Sequence, residues 1–487
     1  MSVSGHLKRL FSDSAIYGIG NALSKFISIF LVPVYTAIFT PGDYGVISII
    51  SNTFVLITII LVLGLDNSTA RWFYDKDSTS ERRIIINTWF WFYLSISFIF
   101  TILVFFLSSG ISQLLFHNTD NSLYLKIMAL VLPMNAMMNV TTNVLRFDRR
   151  PVPTVTVTLM QSLSLIGINI LFVVHYRMGL RGIYYAQLIS TGLACCMAFF
   201  YIRRWLTKPA IDFRLLKDML KYSLPFLPAA IAFWVVNLSG TFFINHFKGS
   251  AESGLFQIGV SIASGGALFI TAFQQAWMPF AFSIHKQENA KKTYAQVFLL
   301  YISAMACLCV GMAFFSKELL WILTNKSYYK AASISAILTF SYFFMGLTYI
   351  ADLGTAITKQ TKPLGFILII SAILYPVLSL VLVPWLGKEG AAIATCLSQA
   401  IVPLYMFYKS QKAYFIPYNF REGWLIFTSS IVLSLLAWYM PGISENLIIK
   451  IVIFILYVAS IIQFLAKVNN IRLKEFVAQK LGRSKIS

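Results

Sequence analysis

The chain has 487 residues, 58% of them hydrophobic and only 12% charged, and carries a net charge of +21. A water-facing surface needs about twice that charged fraction, so a soluble globular protein is excluded. Apolar runs near 20 residues fit membrane-crossing helices, not the short alternating strands of a transmembrane barrel. The positive charge lies mostly in short loops between apolar runs, where it orients a membrane protein, which removes the case for a nucleic-acid partner.

Fourteen spans are predicted, with cores at 15–38, 43–65, 84–107, 122–145, 154–175, 181–202, 222–246, 253–282, 294–315, 329–357, 363–384, 388–408, 423–440 and 446–466. With the N-terminus inside, 29 of the 39 lysines and arginines fall in inner segments and 6 in outer loops. A missed or invented span would scramble that alternation. Both termini are therefore expected in the cytoplasm. The first apolar run is longer than a signal h-region and lacks a small-residue cleavage site, so it is expected to remain as helix.

Span 1 carries Lys25 about ten residues in, roughly 15 Å along the helix, with Asn21 and Ser28 on the same face. Intramembrane charge is costly and points to function. Lys25 reads as a cation lining a polar cavity; the alternatives are snorkelling or a structural pair with Asp66. Span 2 runs into "GLDNSTARWFYDKDSTSERR", residues 64–83. Asp66 and Arg71 sit there at the expected inner mouth of the cavity. Trp72, Phe73 and Tyr74 fit an interfacial aromatic belt. Lys76, Arg82 and Arg83 read as orientation signals on the cytoplasmic side, most of which tolerate shuffling.

Span 4 places Asn135, Asn139 and Asn143 at i, i+4 and i+8, one helical stripe, followed by Arg146. Such a stripe lines a water-filled path or bonds neighbouring helices. Span 7 repeats the pattern with Asn237, Thr241 and Asn245; His246 reads as structural rather than as a proton relay. Span 8 adds Gln257, Ser261 and Ser264. Span 10 carries Tyr342, Tyr349, Asp352 and Lys359 along one face. Stripes on several helices favour a central hydrophilic cavity.

Lys25, Arg71, Arg146 and Lys359 suit an anionic substrate, since arginine donates bidentately to phosphate and lysine acts as a point charge. Asn139, Asn143, Asn237, Asn245 and Tyr349 suit sugar hydroxyls. Asp66 and Asp352 are the candidates for coupling to protons or sodium. The five cysteines lie in apolar segments with no CxxC pair or histidine partner, so they read as small buried residues and no metal or cofactor is expected. There is no phosphate-loop motif and no constellation of nucleophile, base and orienting group, so the chain reads as a non-enzyme. The tail, Lys467–Ser487, holds six basic residues; it lies on anionic lipid or is a solvated tail.

An internal repeat is visible. "GLRGIYYAQLIS" (179–190) matches "GKEGAAIATCLS" (387–398), aligning Gly179 with Gly387, Gly182 with Gly390, Ala186 with Ala394 and Ser190 with Ser398. "FTPGDYGV" (39–46) resembles "FKGSAESGL" (247–255) with a one-residue gap. The expected organisation is an N-terminal lobe over 1–206 (spans 1–6), a C-terminal lobe over 207–412 (spans 7–12), two added spans over 413–466 and the tail over 467–487. An offset of six helices gives parallel repeats about an axis along the membrane normal, a transporter pattern with the site between halves.

Residues 14–83 resemble the bacterial polysaccharide biosynthesis, or O-antigen (Wzx-type) flippase, family. The pattern is Gly20, Lys25 and Pro33 in helix 1, Asp43-Tyr44-Gly45 opening helix 2, then Gly64-Leu65 and Arg71; Trp72 before Phe73 departs from the usual order. The resemblance implies the multidrug/oligosaccharidyl-lipid/polysaccharide exporter superfamily, with twelve to fourteen helices in two lobes forming a V. It implies translocation of undecaprenyl-diphosphate-linked oligosaccharide from the inner to the outer leaflet of the bacterial cytoplasmic (inner) membrane. Lys25 and Arg71 become diphosphate contacts, and spans 13–14 a lipid groove as in the related lipid II flippases. A polysaccharide polymerase or chain-length protein is the expected partner. The rival readings are a cation-coupled drug exporter and a polysaccharide polymerase or ligase, the last disfavoured by the short outer loops.

Overall fold

The structure, a computed structural model, describes residues 31–206, 211–440 and 445–468. Lys25 and the basic tail lie outside the described residues. Among the described residues every regular element is helical, and twelve helical segments are long and apolar enough to cross a membrane. One of them, Lys362–Ala413, runs 52 residues but breaks at Gly387, where φ is 58° and ψ is −131°. It is two spans joined without a loop. Counted as two, it brings the segments into register with spans 2–14, and α1 (31–38) is the end of span 1.

Contacts divide the chain into two compact units, Met1–Gln257 and Ile258–Ser487. The first holds α2 (Pro41–Val62), α3 (Leu65–Asp75), α4 (Thr79–Phe116), α5 (Ser122–Phe147), α6 (Pro151–Asn169) and α7 (Leu180–Ile202). It continues through α8 (Phe213–Ser223), α9 (Leu227–Leu238), α10 (Gly240–Lys248) and most of α11 (Ser250–Ala263). The helices over 213–257 thus pack with the first unit, whereas the sequence reading drew the lobe boundary at 206.

Helix α2 starts where the sequence dictates. Thr40 Oγ1 accepts the Asp43 N–H at 3.3 Å, and the Asp43 carboxylate accepts the Thr40 N–H at 3.0 Å. This reciprocal cap satisfies two otherwise orphaned donors, and Pro41 fits the first turn because its missing N–H is not needed there. The core of the first unit gathers Phe54, Phe73, Trp89, Tyr93, Leu132 and Val140.

The second unit holds α12 (Gly265–Ile284), α13 (Ala290–Leu323), α14 (Ala332–Ala351), α15 (Leu353–Ile357), α16 (Lys362–Ala413), α17 (Phe420–Tyr439) and α18 (Leu447–Val468). Its core is aromatic: Tyr294, Phe298, Tyr301, Phe343 and Tyr418. Their hydroxyls find backbone acceptors. Tyr301 donates to Phe343 O at 3.0 Å and Tyr294 to Ala281 O at 2.7 Å, as buried phenols must.

The sequence repeat is a repeat of backbone. Gly179 has φ 59° and ψ −143°, nearly the values of Gly387. The second match makes a contact. A Cβ on Gly45 would lie 1.9 Å from Ser250 O, and one on Gly254 would lie 1.9 Å from Pro41 O. Pro41 aligns with Ser250 and Gly45 with Gly254, so the repeated motif crosses its own counterpart reciprocally, the pattern of a two-fold contact. Small residues permit such close backbone approach between helices in a membrane.

Candidate functional site

The site begins with a break between α2 and α3. Leu63 and Gly64 are left-handed, at φ 50° and 69°, and the helix restarts at Leu65. A β-carbon on Gly64 would also stand 2.9 Å from Ser223 O, so glycine serves both the conformation and the close packing against the end of α8. The break sets Asp66 and Asn67 at the start of α3, beside a cavity of about 260 Å³. Thr58, Gly64, Asp66 and Asn67 line it from one side, Asn139 from α5, and Phe226, Leu227 and Ala230 from the other.

The polar groups are partly tied together. Asn67 Nδ2 donates to Asp66 Oδ1 at 3.4 Å. Asn143 Nδ2 donates to the Asn139 backbone oxygen at 3.0 Å and to its Oδ1 at 3.2 Å. The Thr58 hydroxyl donates to Phe54 O at 2.8 Å, turning back to its own helix. Each amide offers donors and an acceptor, and an ionised Asp66 accepts only. The set can bind hydroxyl groups or a proton-bearing or cationic group. Among the described residues its one charged lining group is an acid, which repels phosphate.

The arginines stand outside this cavity. Arg71 lies five residues beyond Asp66, about 140° around the helix. Its exposed side chain is 3.8 Å from Asp75, and its guanidinium sits 5.2 Å from the Tyr222 ring centroid. Arg146 is exposed at the end of α5. Nearby, Arg204 pairs with Asp148. None of these three arginines lines the cavity.

The remaining candidates are spread out. Asn237 Nδ2 donates to Phe233 O at 2.8 Å, on its own helix. Asn245 Nδ2 donates to Leu115 O at 2.6 Å, capping the end of α4. His246 is exposed, with its ring 6.2 Å from that of His117. In the second unit, the Tyr349 backbone oxygen accepts from Trp277 Nε1 at 3.1 Å. Asp352, at the α14–α15 break, accepts from the Thr355 hydroxyl. Lys359 lies just past the end of α15, with φ 58°.

Two readings of residues 64–83 are corrected. Phe73 is 2% exposed and belongs to the core, not to an aromatic belt, because α3 lies down on α4, α5 and α8; Tyr74 keeps its exposed place and donates to Phe147 O at 3.1 Å. Arg82 is not a shuffleable charge: its Nε donates to Phe73 O at 3.1 Å and Lys76 O at 2.8 Å, and its guanidinium covers the Phe73 ring at 4.8 Å. It closes the C-terminus of α3. Beside it, Lys76 donates to Glu81 at 2.8 Å, a hydrogen bond that raises the lysine pKa.

Sequence reasoning missed Asn52. This buried residue donates to Thr241 Oγ1 at 3.1 Å and Leu238 O at 3.3 Å, while its backbone oxygen accepts from Trp234 Nε1 at 3.0 Å. It ties α2 to the break between α9 and α10. The signal was a lone asparagine in an apolar helix. Also missed was the buried Lys450, which donates to Glu318 at 2.6 Å and ties α18 to α13.

Comparison with known proteins now bears on this geometry. The family described as "Polysaccharide biosynthesis protein" matches residues 34–283. A protein of Haemophilus influenzae, described as an "Uncharacterized membrane protein", is 22% identical over 385 residues, covering 75% of this chain and 88% of that protein. Among solved structures, "Lipid II flippase MurJ, inward closed conformation" superposes with a TM-score of 0.72 at 15% identity, covering 93% of this chain and 99% of that one. An inward-facing "multidrug resistance MATE family transporter of the MOP superfamily" gives 0.64 at 14% identity, covering 83% and 96%. A point mutant of the Vibrio cholerae MATE transporter VcmN gives 0.56 at 14% identity, covering 84% and 97%. At these identities the likeness is one of fold.

Proposed function

The chain belongs to the polysaccharide biosynthesis protein family, and from that membership we infer that it is a flippase for lipid-linked oligosaccharide. Its substrate is an undecaprenyl-diphosphate-linked repeat unit of O-antigen or a related surface polysaccharide, carried from the cytoplasmic to the periplasmic leaflet by alternating access. The observation that carries this reading is the family match over 34–283, the segment that contains the Gly64 break and the cavity of Asp66, Asn67 and Asn139. The fold likeness to a lipid II flippase supports it.

The chemistry divides between two places. Hydroxyl-rich sugar suits the amides and carboxylate of the cavity. The diphosphate suits the arginines outside the cavity, Arg71 and Arg146, with Lys25 as a further cation and Lys359 as a candidate of the second unit. Asp66 and Asp352 serve as coupling acids for protons or sodium. Asn237, Asn245 and Tyr349 are proposed sugar contacts of lower priority, since Asn245 already caps α4. The polymerase and chain-length proteins that use the product are the proposed partners.

The test is complementation of a deletion strain. Loss of the chain should leave single lipid-linked units in the inner leaflet and remove surface polysaccharide. Asp66→Asn and Asn139→Ala, each expressed normally, should restore less than about a tenth of it, the effect of one lost hydrogen bond to a charged or oriented group. Full restoration by both would remove the cavity from the mechanism.

A second reading has one observation in its favour. Among the described residues the only charged group lining the cavity is an acid, which suits a cation-coupled exporter of cationic drugs. Drug sensitivity with normal surface polysaccharide in the deletion strain would select it.

A further inference from the structure

The second unit carries a composite site that the flippase reading does not use. A groove of about 730 Å³ runs between α14, α16 and α17, walled by Ala336, Phe340, Ile393, Leu397, Ile431 and Leu435 among others. At the end where α13 and α17 finish and α16 breaks at Gly387, it meets a recess of about 490 Å³. The two share Ser333, Glu389 and Trp438, and the recess adds Lys317, Lys330 and Lys388. Three ammonium groups there face one carboxylate. Glu389 Oε1 is shared by Lys388 Nζ at 3.4 Å and the Ser333 hydroxyl at 2.8 Å. Lys330 is exposed, and Lys317 Nζ stands 5.2 Å from the Trp438 ring centroid.

Two polar atoms on residues of the groove wall lack a partner. Trp438 Nε1 and Ser434 Oγ are buried and have no hydrogen-bond partner among the described residues, and both line the groove. Buried polar groups of this kind normally meet a protein group, a water or a ligand. Trp438 sits at the neck, where apolar groove and cationic recess join.

We propose that this site holds one anionic glycerophospholipid. Along the site the chemistry runs from cations, through neutral donors, to an apolar trough. A phospholipid presents the complementary order: phosphate, ester carbonyls, acyl chain. The phosphate lies among Lys317, Lys330 and Lys388, whose ammonium groups offer it compact charges and rotatable donors; by the charge alternation this end of the site faces the outer leaflet. An ester carbonyl accepts from the Trp438 N–H, and an acyl chain fills the trough, where apolar walls exclude water. None of the groove's described lining residues comes from α18, so this is not the groove expected between spans 13 and 14.

The test uses the purified full chain, delipidated and offered vesicles of phosphatidylglycerol, phosphatidylcholine or an equal mixture, with bound lipid counted by native mass spectrometry. Wild type should retain phosphatidylglycerol at least about tenfold over phosphatidylcholine. The double variant Lys317→Gln/Lys330→Gln should lose that preference, and Trp438→Phe, which keeps an aromatic ring but removes the N–H, should weaken retention. Ala400→Phe, which fills the trough, should prevent binding of both lipids. Inorganic phosphate should fail to compete, because it leaves the trough empty. Equal retention of the two lipids by wild type, or unchanged preference in the double variant, overturns the proposal. So does displacement of phosphatidylglycerol by an equimolar polyprenyl phosphate, which would make the site a substrate subsite.

Discussion

Residue by residue, the backbone breaks set what each side chain can do. Gly64 combines φ 69° with a Cβ position 2.9 Å from a backbone oxygen. Gly64→Ala should therefore cost about 1–3 kcal/mol and lower the unfolding temperature in detergent. Gly167→Ala, where an added Cβ meets nothing within 4 Å, should leave it unchanged or raise it, since alanine is the better helix former. The same contrast separates two neighbouring arginines. Arg82→Ala removes two bonds to backbone oxygens and a ring contact and should lower the unfolding temperature. Arg83→Ala, at an exposed position, should not. Arg82 was unreadable in the sequence because a loop arginine that caps a helix has the same composition as one that orients the chain. Its acceptors lie six and nine residues back, a distance set only by how α3 turns into α4.

For the helices, the periodic and positional signals were legible and the long-range bonds were not. Span positions followed from apolar length and charge alternation, which are one-dimensional properties. The repeat was legible because backbone demands leave glycine behind: Gly179 and Gly387 share one unusual conformation. The reciprocal crossing at Gly45 and Gly254 gives a test. Gly45→Val and Gly254→Val each drive a side chain into a carbonyl 1.9 Å away, where only backbone movement can relieve the clash. Each should abolish monodisperse elution in size-exclusion chromatography, and to a similar degree. Full tolerance of one would show that the two contacts are not equivalent. The asparagine stripes were read as one class, yet their fates differ. Asn139 lines the cavity, whereas Asn245 caps another helix. Asn52 had no stripe at all, and its partners lie 186 and 189 residues away. Asn52→Leu should lower stability by about 0.6–1.7 kcal/mol per lost bond, read as a lower unfolding temperature with unchanged span topology.

At the scale of the whole molecule, composition excluded a soluble protein, and the family match carries the function further than the geometry of either unit alone. The described cavity has Asp66 as its one charged lining group among the described residues, and Arg71 and Arg146 are not part of its lining. This division follows from the helical turn between Asp66 and Arg71, which a reading of residue types in one loop does not register. The proposed function accordingly assigns sugar to the cavity and phosphate to the arginines outside it. The central claim is that the chain moves lipid-linked oligosaccharide across the membrane. The most direct measurement is the leaflet distribution of lipid-linked repeat units in a deletion strain carrying wild type or Asp66→Asn. The account predicts that units reach the outer leaflet with wild type and stay inside with the variant and with the empty strain. Units that reach the outer leaflet at the wild-type rate in the empty strain would contradict it.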